Sequence, residues 1–183
     1  YARRLDDRDR ELTRLFNQRY DAPVTAARAR LATARFAAYG DSVYPDATFT
    51  LRISYGQVKG WTERGQPTPT RTTLGGAFTR ATGVDPFKLP TAFVANAKRI
   101  DRSKVYDFVT TNDIIGGNSG SPVIDKSGAV IGAAFDGNIH SLGGNYGYDA
   151  ALNRTVVVST AAVEEALKSI YPAPALLAEL HGR

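Results

Sequence analysis

Gly116-Gly117-Asn118-Ser119-Gly120-Ser121-Pro122 runs directly into Val123-Ile124-Asp125. Glycine takes positive φ at no steric cost, so Gly117 and Gly120 allow a tight coil of backbone around Ser119. Such a coil can aim the N–H groups of Gly117 and Ser119 at one point, where the oxyanion produced by attack of a serine hydroxyl would sit. The residues after Gly120 predict a strand that anchors the loop on a rigid element. Loss of one oxyanion donor typically costs about 100- to 1,000-fold in turnover, so a loop of this kind is worth holding firmly. A glycine-rich hairpin in an unrelated β-protein would carry the same glycines. Glycine, serine and following strand together favour the nucleophile.

Working outward, short strands are expected at Val105 to Thr110, Val123 to Asp125, Ala129 to Phe135 and Thr155 to Ser159, with Lys126-Ser127-Gly128 as a tight turn. Upstream, Phe49, Leu51, Ile53 and Tyr55 alternate with Thr48, Thr50, Arg52 and Ser54, which predicts a half-buried strand that bends at Gly56 and continues from Gln57 to Thr62. Thr70 to Leu74 is a further short strand, Arg64 to Pro69 a loop and Pro86 to Pro90 an ordered loop. At least six short strands between glycine-rich turns predict a mostly β fold, an antiparallel barrel or sandwich. Ala161 to Tyr171 reads as a closing amphipathic helix stopped by Pro172 and Pro174.

Residues 1–39 have apolar positions at helical spacing: Leu5, Leu12, Leu15 and Phe16, then Val24, Ala27, Leu31, Ala34 and Ala38. Asp21-Ala22-Pro23 predicts a break and restart, and hence a helical hairpin, with Gly40 ending its second helix. The nine arginines of this region form a solvated face. A helical region, 1–44, is thus expected before a β domain, 45–183.

Composition narrows the function classes. With 183 residues, 43% hydrophobic and 22% charged, the chain can bury a core of its own. It has no cysteine, which excludes a disulfide framework and a thiolate metal site. No apolar run approaches the ~20 residues that span a bilayer. The net charge of +5 comes from basic residues interleaved with acids, with no basic stripe carrying stacking aromatics, so nucleic-acid binding is not expected. A chain without methionine that begins at Tyr1 is expected to be a processed or excised piece.

Three blocks occur in order: TFTLRISYGQVKG over 48–60, TNDIIGGNSGSPV over 111–123 and GAAFDGN over 132–138. The Gly-Asn-Ser-Gly-Ser-Pro core resembles the nucleophile signature of chymotrypsin-fold peptidases, including glutamyl endopeptidases and Deg/HtrA-type proteases. Taken together, the blocks resemble the C-terminal part of bacterial serine dipeptidyl peptidases of the dipeptidyl-peptidase-seven and dipeptidyl-peptidase-eleven type. The resemblance covers about residues 45–160. It implies a six-stranded chymotrypsin-type barrel, cleavage of dipeptides from the free N-terminus of oligopeptides, and no metal or organic cofactor. It also implies a helical domain that caps the cleft, a homodimer, and placement in the periplasm or at the cell surface. Ser119 would be the nucleophile and the N–H groups of Gly117 and Ser119 the oxyanion hole. Gly137, with Phe135 and Ile114, would line the specificity pocket.

Gly137 carries more information within that resemblance. Arginine there accompanies preference for Asp or Glu, and glycine accompanies preference for bulky apolar residues. A glycine places no charge in the pocket, so an acidic side chain would be desolvated without a partner. The expected preference is hydrophobic or aromatic. The general base is the weak link, because Ser119 needs an imidazole within hydrogen-bond reach. His140 lies 21 residues after Ser119 and His181 is third from the end; a satisfied loop histidine and a mobile terminal histidine are the simpler readings. The resemblance places the base and its aspartate in an upstream half of the polypeptide. Asp113, Asp107 and Asp136 are expected to be structural, hydrogen-bonded carboxylates. The alternatives are an endopeptidase of the same fold and a non-catalytic β-barrel module.

Overall fold

A computed structural model describes residues 2–40, 51–144 and 147–182, with side chains from residue 6 onward. The chain divides into two compact units, Tyr1–Thr48 and Phe49–Arg183.

In the first unit, helix α1 (Ala2–Phe16) passes through a π-helical turn (Asn17–Asp21) into α2 (Ala22–Tyr39). The expected hairpin is therefore one continuous helix. Asp21 has helical angles, φ −68° and ψ −48°, and so does not cap a new helix. The Ala22 N–H donates to the Asn17 carbonyl, the wide i to i+5 bond of a π turn. Pro23 has no N–H to donate, and the widened turn before it absorbs that loss without ending the helix. Among its described side chains none is buried; Leu12 and Leu31 are 64% and 70% exposed.

The second unit begins with an extended segment and a two-stranded ribbon, β1 (Thr62–Glu63) and β2 (Gln66–Pro67). Arg64 and Gly65 form its two-residue turn, both at positive φ (48° and 79°), the hand that matches strand twist. The main sheet is antiparallel with the order β3-β4-β7-β6-β5, from β3 (Arg71–Thr73), β4 (Val105–Thr110), β5 (Pro122–Ile124), β6 (Val130–Gly137) and β7 (Thr155–Ser159). Among the described residues this sheet is open, with β3 and β5 at its edges. The closed six-stranded barrel is not formed by them.

The strand expected over 48–55 accounts for part of that difference. Residues 48–50 lie outside the described residues, and 51–55 join no sheet. Leu51, Ile53 and Tyr55 are 100%, 86% and 91% exposed, so the apolar side of the alternation has no cover here. From Gln57 the segment instead lies along the end of β4 and the residue after it. Thr111 N–H donates to the Gln57 carbonyl (3.0 Å) and Lys59 N–H to the Val109 carbonyl (3.2 Å), with one bridge between Val58 and Thr110. Gly56 makes this approach possible, since a Cβ there would stand 2.7 Å from Asn112 N.

The core of this unit is a cluster of Leu74, Ile100, Ala162 and Ile170, with Phe78, Phe93 and Tyr106 against it. It lies under helices α3 (Leu74–Arg80), α4 (Thr91–Ala95) and α5 (Thr160–Glu165), the last continuing as a π-helical turn, Ala166–Ile170. Thr73 and Ser159 cap α3 and α5 by accepting the N–H groups of Gly76 and Ala162. Pro174 does not end the fold's helices as expected; it starts α6 (Pro174–Leu180), where its missing N–H costs nothing.

Candidate active site

Two bonds seat the serine loop on β6. Gly120 N–H donates to the Ala134 carbonyl (2.7 Å) and Ala134 N–H to the Ser121 carbonyl (2.9 Å). Gly117 and Gly120 have φ of 97° and 87°, values that L side chains rarely adopt. Within the loop, Asn118 N–H donates to the Ile115 carbonyl (3.2 Å) and Ser121 N–H to the Asn118 carbonyl (3.0 Å). The Asn118 carboxamide closes the ring, because its Oδ1 accepts from Ile115 N–H at 3.1 Å. The N–H groups of residues 115, 118, 120 and 121 are thus satisfied. The N–H groups of Gly116, Gly117 and Ser119 have no acceptor among the described residues. Exposed donors on either side of Asn118 are left for a ligand.

Ser119 is exposed, and its Oγ lies 3.4 Å from the Phe135 carbonyl, to which it donates. The register of β6 against β7 slips between Ala134 and Asp136, so Phe135 is the extra residue of a bulge. A bulge re-aims the backbone, and here it turns the Phe135 carbonyl toward the serine. Phe135 is 46% exposed and Ile114 is half-buried.

Gly137 closes β6 opposite Thr155 and is half-buried. A Cβ at this position would stand 2.7 Å from Ser141 Cβ, so glycine is required by a close approach rather than by a turn. Ser141 Oγ lies 2.9 Å from Asn138 Oδ1 and 3.3 Å from the Arg154 carbonyl. Asn138 in turn accepts from Arg154 N–H (3.0 Å) and donates Nδ2 to the Leu152 carbonyl (2.7 Å). Beneath them Arg154 is 2% exposed. Its Nε faces the carbonyls of Lys59 and Gly60, its Nη1 those of Ala150 and Asn153, and its Nη2 those of Gly60 and Ala151, at 2.6–3.2 Å. All five guanidinium donors are therefore committed to main-chain oxygens.

The carboxylates differ from expectation in two cases. Asp136 is exposed, not buried, and its Oδ1 accepts from Gly137 N–H at 2.8 Å. Asp107 is half-buried, but its carboxyl has no hydrogen bond among the described residues, and burial raises it above the usual range. The Asp113 carbonyl accepts from Ser54 Oγ at 3.0 Å.

Neither histidine is hydrogen-bonded to Ser119. His140 Nε2 is 2.6 Å from Glu63 Oε2, which also accepts from Trp61 Nε1 at 3.0 Å. These two bonds, His140 first, hold the Glu63 carboxyl below its usual range. His181 Nε2 pairs with Glu164 Oε1 at 3.2 Å, remote in kind from any nucleophile contact. His140 therefore matches the simpler reading, whereas His181 is paired with Glu164. Among the described residues no group of three His, Asp or Glu side chains is gathered for a metal.

The loop thus presents an exposed serine with unused N–H groups beside it. Residues 1–182 match the Peptidase S46 family. The chain belongs to that family. Among relatives, it is 42% identical over 124 residues to Dipeptidyl-peptidase 7 of Phocaeicola vulgatus, covering 62% of this chain and 17% of that protein. It is 34% identical over 164 residues to the Asp/Glu-specific dipeptidyl-peptidase of Porphyromonas gingivalis, covering 81% and 22%. The S46 fold is shared with the crystal structure of Porphyromonas endodontalis DPP11 in complex with dipeptide Arg-Glu, at a TM-score of 0.75 and 26% identity, over 88% of this chain and 25% of that one. This S46 chain thus spans about a fifth of the length of the relatives it matches.

Sequence reasoning missed Arg154, Ser141 and the Arg52 contact described below. Arg154 immediately precedes the β7 run, where hydropathy alone assigns an arginine to the surface.

Proposed function

We propose that this chain carries the nucleophile of a serine dipeptidyl peptidase. The single observation behind this is the exposed Ser119 flanked by the free N–H groups of Gly117 and Ser119, in a chain of the Peptidase S46 family. Ser119 Oγ attacks the scissile carbonyl carbon while its proton passes to a base. The carbonyl oxygen becomes an oxyanion held by the two N–H groups. Collapse breaks the C–N bond, the base returns its proton to the leaving amine, and an acyl-enzyme on Ser119 remains. Water then attacks this ester and releases the dipeptide. No described histidine touches Ser119, and the base and its aspartate are proposed, from the resemblance to the serine dipeptidyl peptidases, to come from an upstream half of the polypeptide.

The proposed preference is for hydrophobic or aromatic residues on the acyl side of the cut. Gly137 brings no charge, and Arg154 has no donor left for a substrate carboxylate, which would be desolvated unpaired. An apolar side chain against Phe135 and Ile114 gains about 25 cal/mol per Å² removed from water. The helical unit, 1–44, forms part of the cap that restricts the cleft to free N-termini. A homodimer placed in the periplasm or at the cell surface completes the proposal.

The test is product analysis on the peptidase that contains this chain. Release of intact dipeptides from free but not acetylated peptides, faster after Leu or Phe than after Glu, and lost in S119A, is expected. Cleavage of acetylated peptides would make it an endopeptidase; faster release after Glu would overturn the assigned preference.

A further inference from the structure

Arg52 lies on the segment that runs beside residues 109–118, 66 residues away in sequence from the residue it meets. Its Nη2 donates to Asn118 Oδ1 at 3.3 Å, and its side chain is half-buried while its neighbours Leu51 and Ile53 are exposed. The same Oδ1 already accepts from Ile115 N–H. Asn118 is the residue whose peptide units set the direction of the Ser119 N–H, and the free Gly117 N–H lies one residue before it.

The rest of the segment is fixed along its length. Ser54 Oγ donates to the Asp113 carbonyl (3.0 Å), Asn112 Nδ2 to the Ser54 carbonyl (2.8 Å) and Gln57 N–H to Thr111 Oγ1 (3.0 Å). A strap over 52–59 therefore runs beside 109–118, with the Arg52 guanidinium at its far end on the loop itself. We infer that Arg52 is a positioning residue that holds the oxyanion donors in register through Asn118.

A charged donor strengthens the hydrogen bond it makes, and the Asn118 oxygen is the only link from the strap to the loop's interior among the described contacts. Catalytic geometry is unforgiving, since about 1 Å of misplacement can cost roughly 100-fold. The inference rests on Ser119 being the nucleophile, so its test has one arm that does not.

In the first arm, amide hydrogen exchange is measured on the whole peptidase that contains this chain, as wild type, R52Q and R52K. R52Q is expected to speed exchange at Ile115 and Ser121 at least about tenfold, the scale of a lost charged hydrogen bond, while β7 amides keep their protection. R52K, which restores a cationic donor, recovers most of it. In the second arm, the active peptidase is assayed as R52Q, N118A and the double variant. R52Q is expected to lower kcat at least about tenfold with KM within about twofold, and N118A to add little in the R52Q background. Unchanged exchange in folded R52Q overturns the inference, as do effects of R52Q and N118A that multiply. Should R52Q not fold, R52K carries both arms, with slight loss expected and loss equal to that of N118A refuting it. A wild-type peptidase that hydrolyses nothing refutes the proposed function and leaves the exchange result standing.

Discussion

Arg154→Met removes a cation that the fold has buried against carbonyls alone. Five carbonyls lose their donor: those of Lys59, Gly60, Ala150, Ala151 and Asn153. Lys59, Ala150 and Ala151 belong to exposed residues and can turn to water, whereas Gly60 and Asn153 are half-buried and buried. Two stranded acceptors cost about 1–3 kcal/mol each. Methionine keeps most of the apolar stem and no longer requires a charge to be desolvated, which offsets part of the loss. The net expectation is about 2–4 kcal/mol of destabilisation, or roughly 5–15 °C in melting temperature for a chain of this size. Urea and thermal unfolding of the 183-residue chain followed by circular dichroism measure it. Arg154→Lys is expected to lose nearly as much, because three donors on a compact ammonium cannot reach carbonyls arranged around a planar fork. If Arg154→Met unfolds within about 0.5 kcal/mol of wild type, these carbonyls have other partners and Arg154 is not what joins residues 59–60 to 150–153.

Four more outcomes follow from other sites in the second unit. Thr110 Oγ1 is buried with no hydrogen-bond partner among the described residues, so Thr110→Val should raise stability by about 1 kcal/mol in urea unfolding; a loss of that size would show a hidden partner. A Cβ on Gly132 would stand 2.4 Å from the Val158 carbonyl and 2.6 Å from Val157 Cγ1, so Gly132→Ala should cost about 1–3 kcal/mol, read as a lowered melting temperature. Asp107, raised by burial, penalises the fold above the ordinary carboxyl value of 3.8 and not below it. Asp107→Asn should therefore gain stability at neutral pH and lose that gain on acidification. Glu63 has the opposite sign, since its lowered carboxyl adds stability above the ordinary value of 4.5 that is lost as pH falls through the folded value. His140→Ala should flatten the acid limb of the pH–stability curve measured between pH 2 and 6.

Strands β4 and β7 were legible to the residue, because short β-branched runs between turn signals leave few alternatives. The paired glycines Gly75 and Gly76 hid α3; a Cβ on Gly75 would stand a tight 3.1 Å from Arg102 O. Asp21-Ala22-Pro23 imitated a helix start, and only the π turn shows how a proline can sit inside a continuing helix. Alternation over 48–55 predicted a half-buried strand, but 51–55 join no sheet and 48–50 lie outside the described residues. It could not report that its apolar side lacks a covering layer among the described residues.

At the site, local signals were readable and long-range ones were not. Gly117 and Gly120 announced positive φ, which depends on the residue itself. The bulge at Phe135 depends on register with β7, and the Arg52 contact on a segment 66 residues away. Arg154 reads as a surface cation until its five donors are traced to carbonyls. Ser141 matters only because it fills the space beside Gly137.

Fluorophosphonate labelling of the active peptidase containing this chain, with the adduct located by mass spectrometry, tests the assignment of Ser119 most directly. A single adduct on Ser119, absent in S119A together with dipeptide release, is the predicted result. A preparation that releases dipeptides yet carries its adduct on another residue, or none at all, would contradict it.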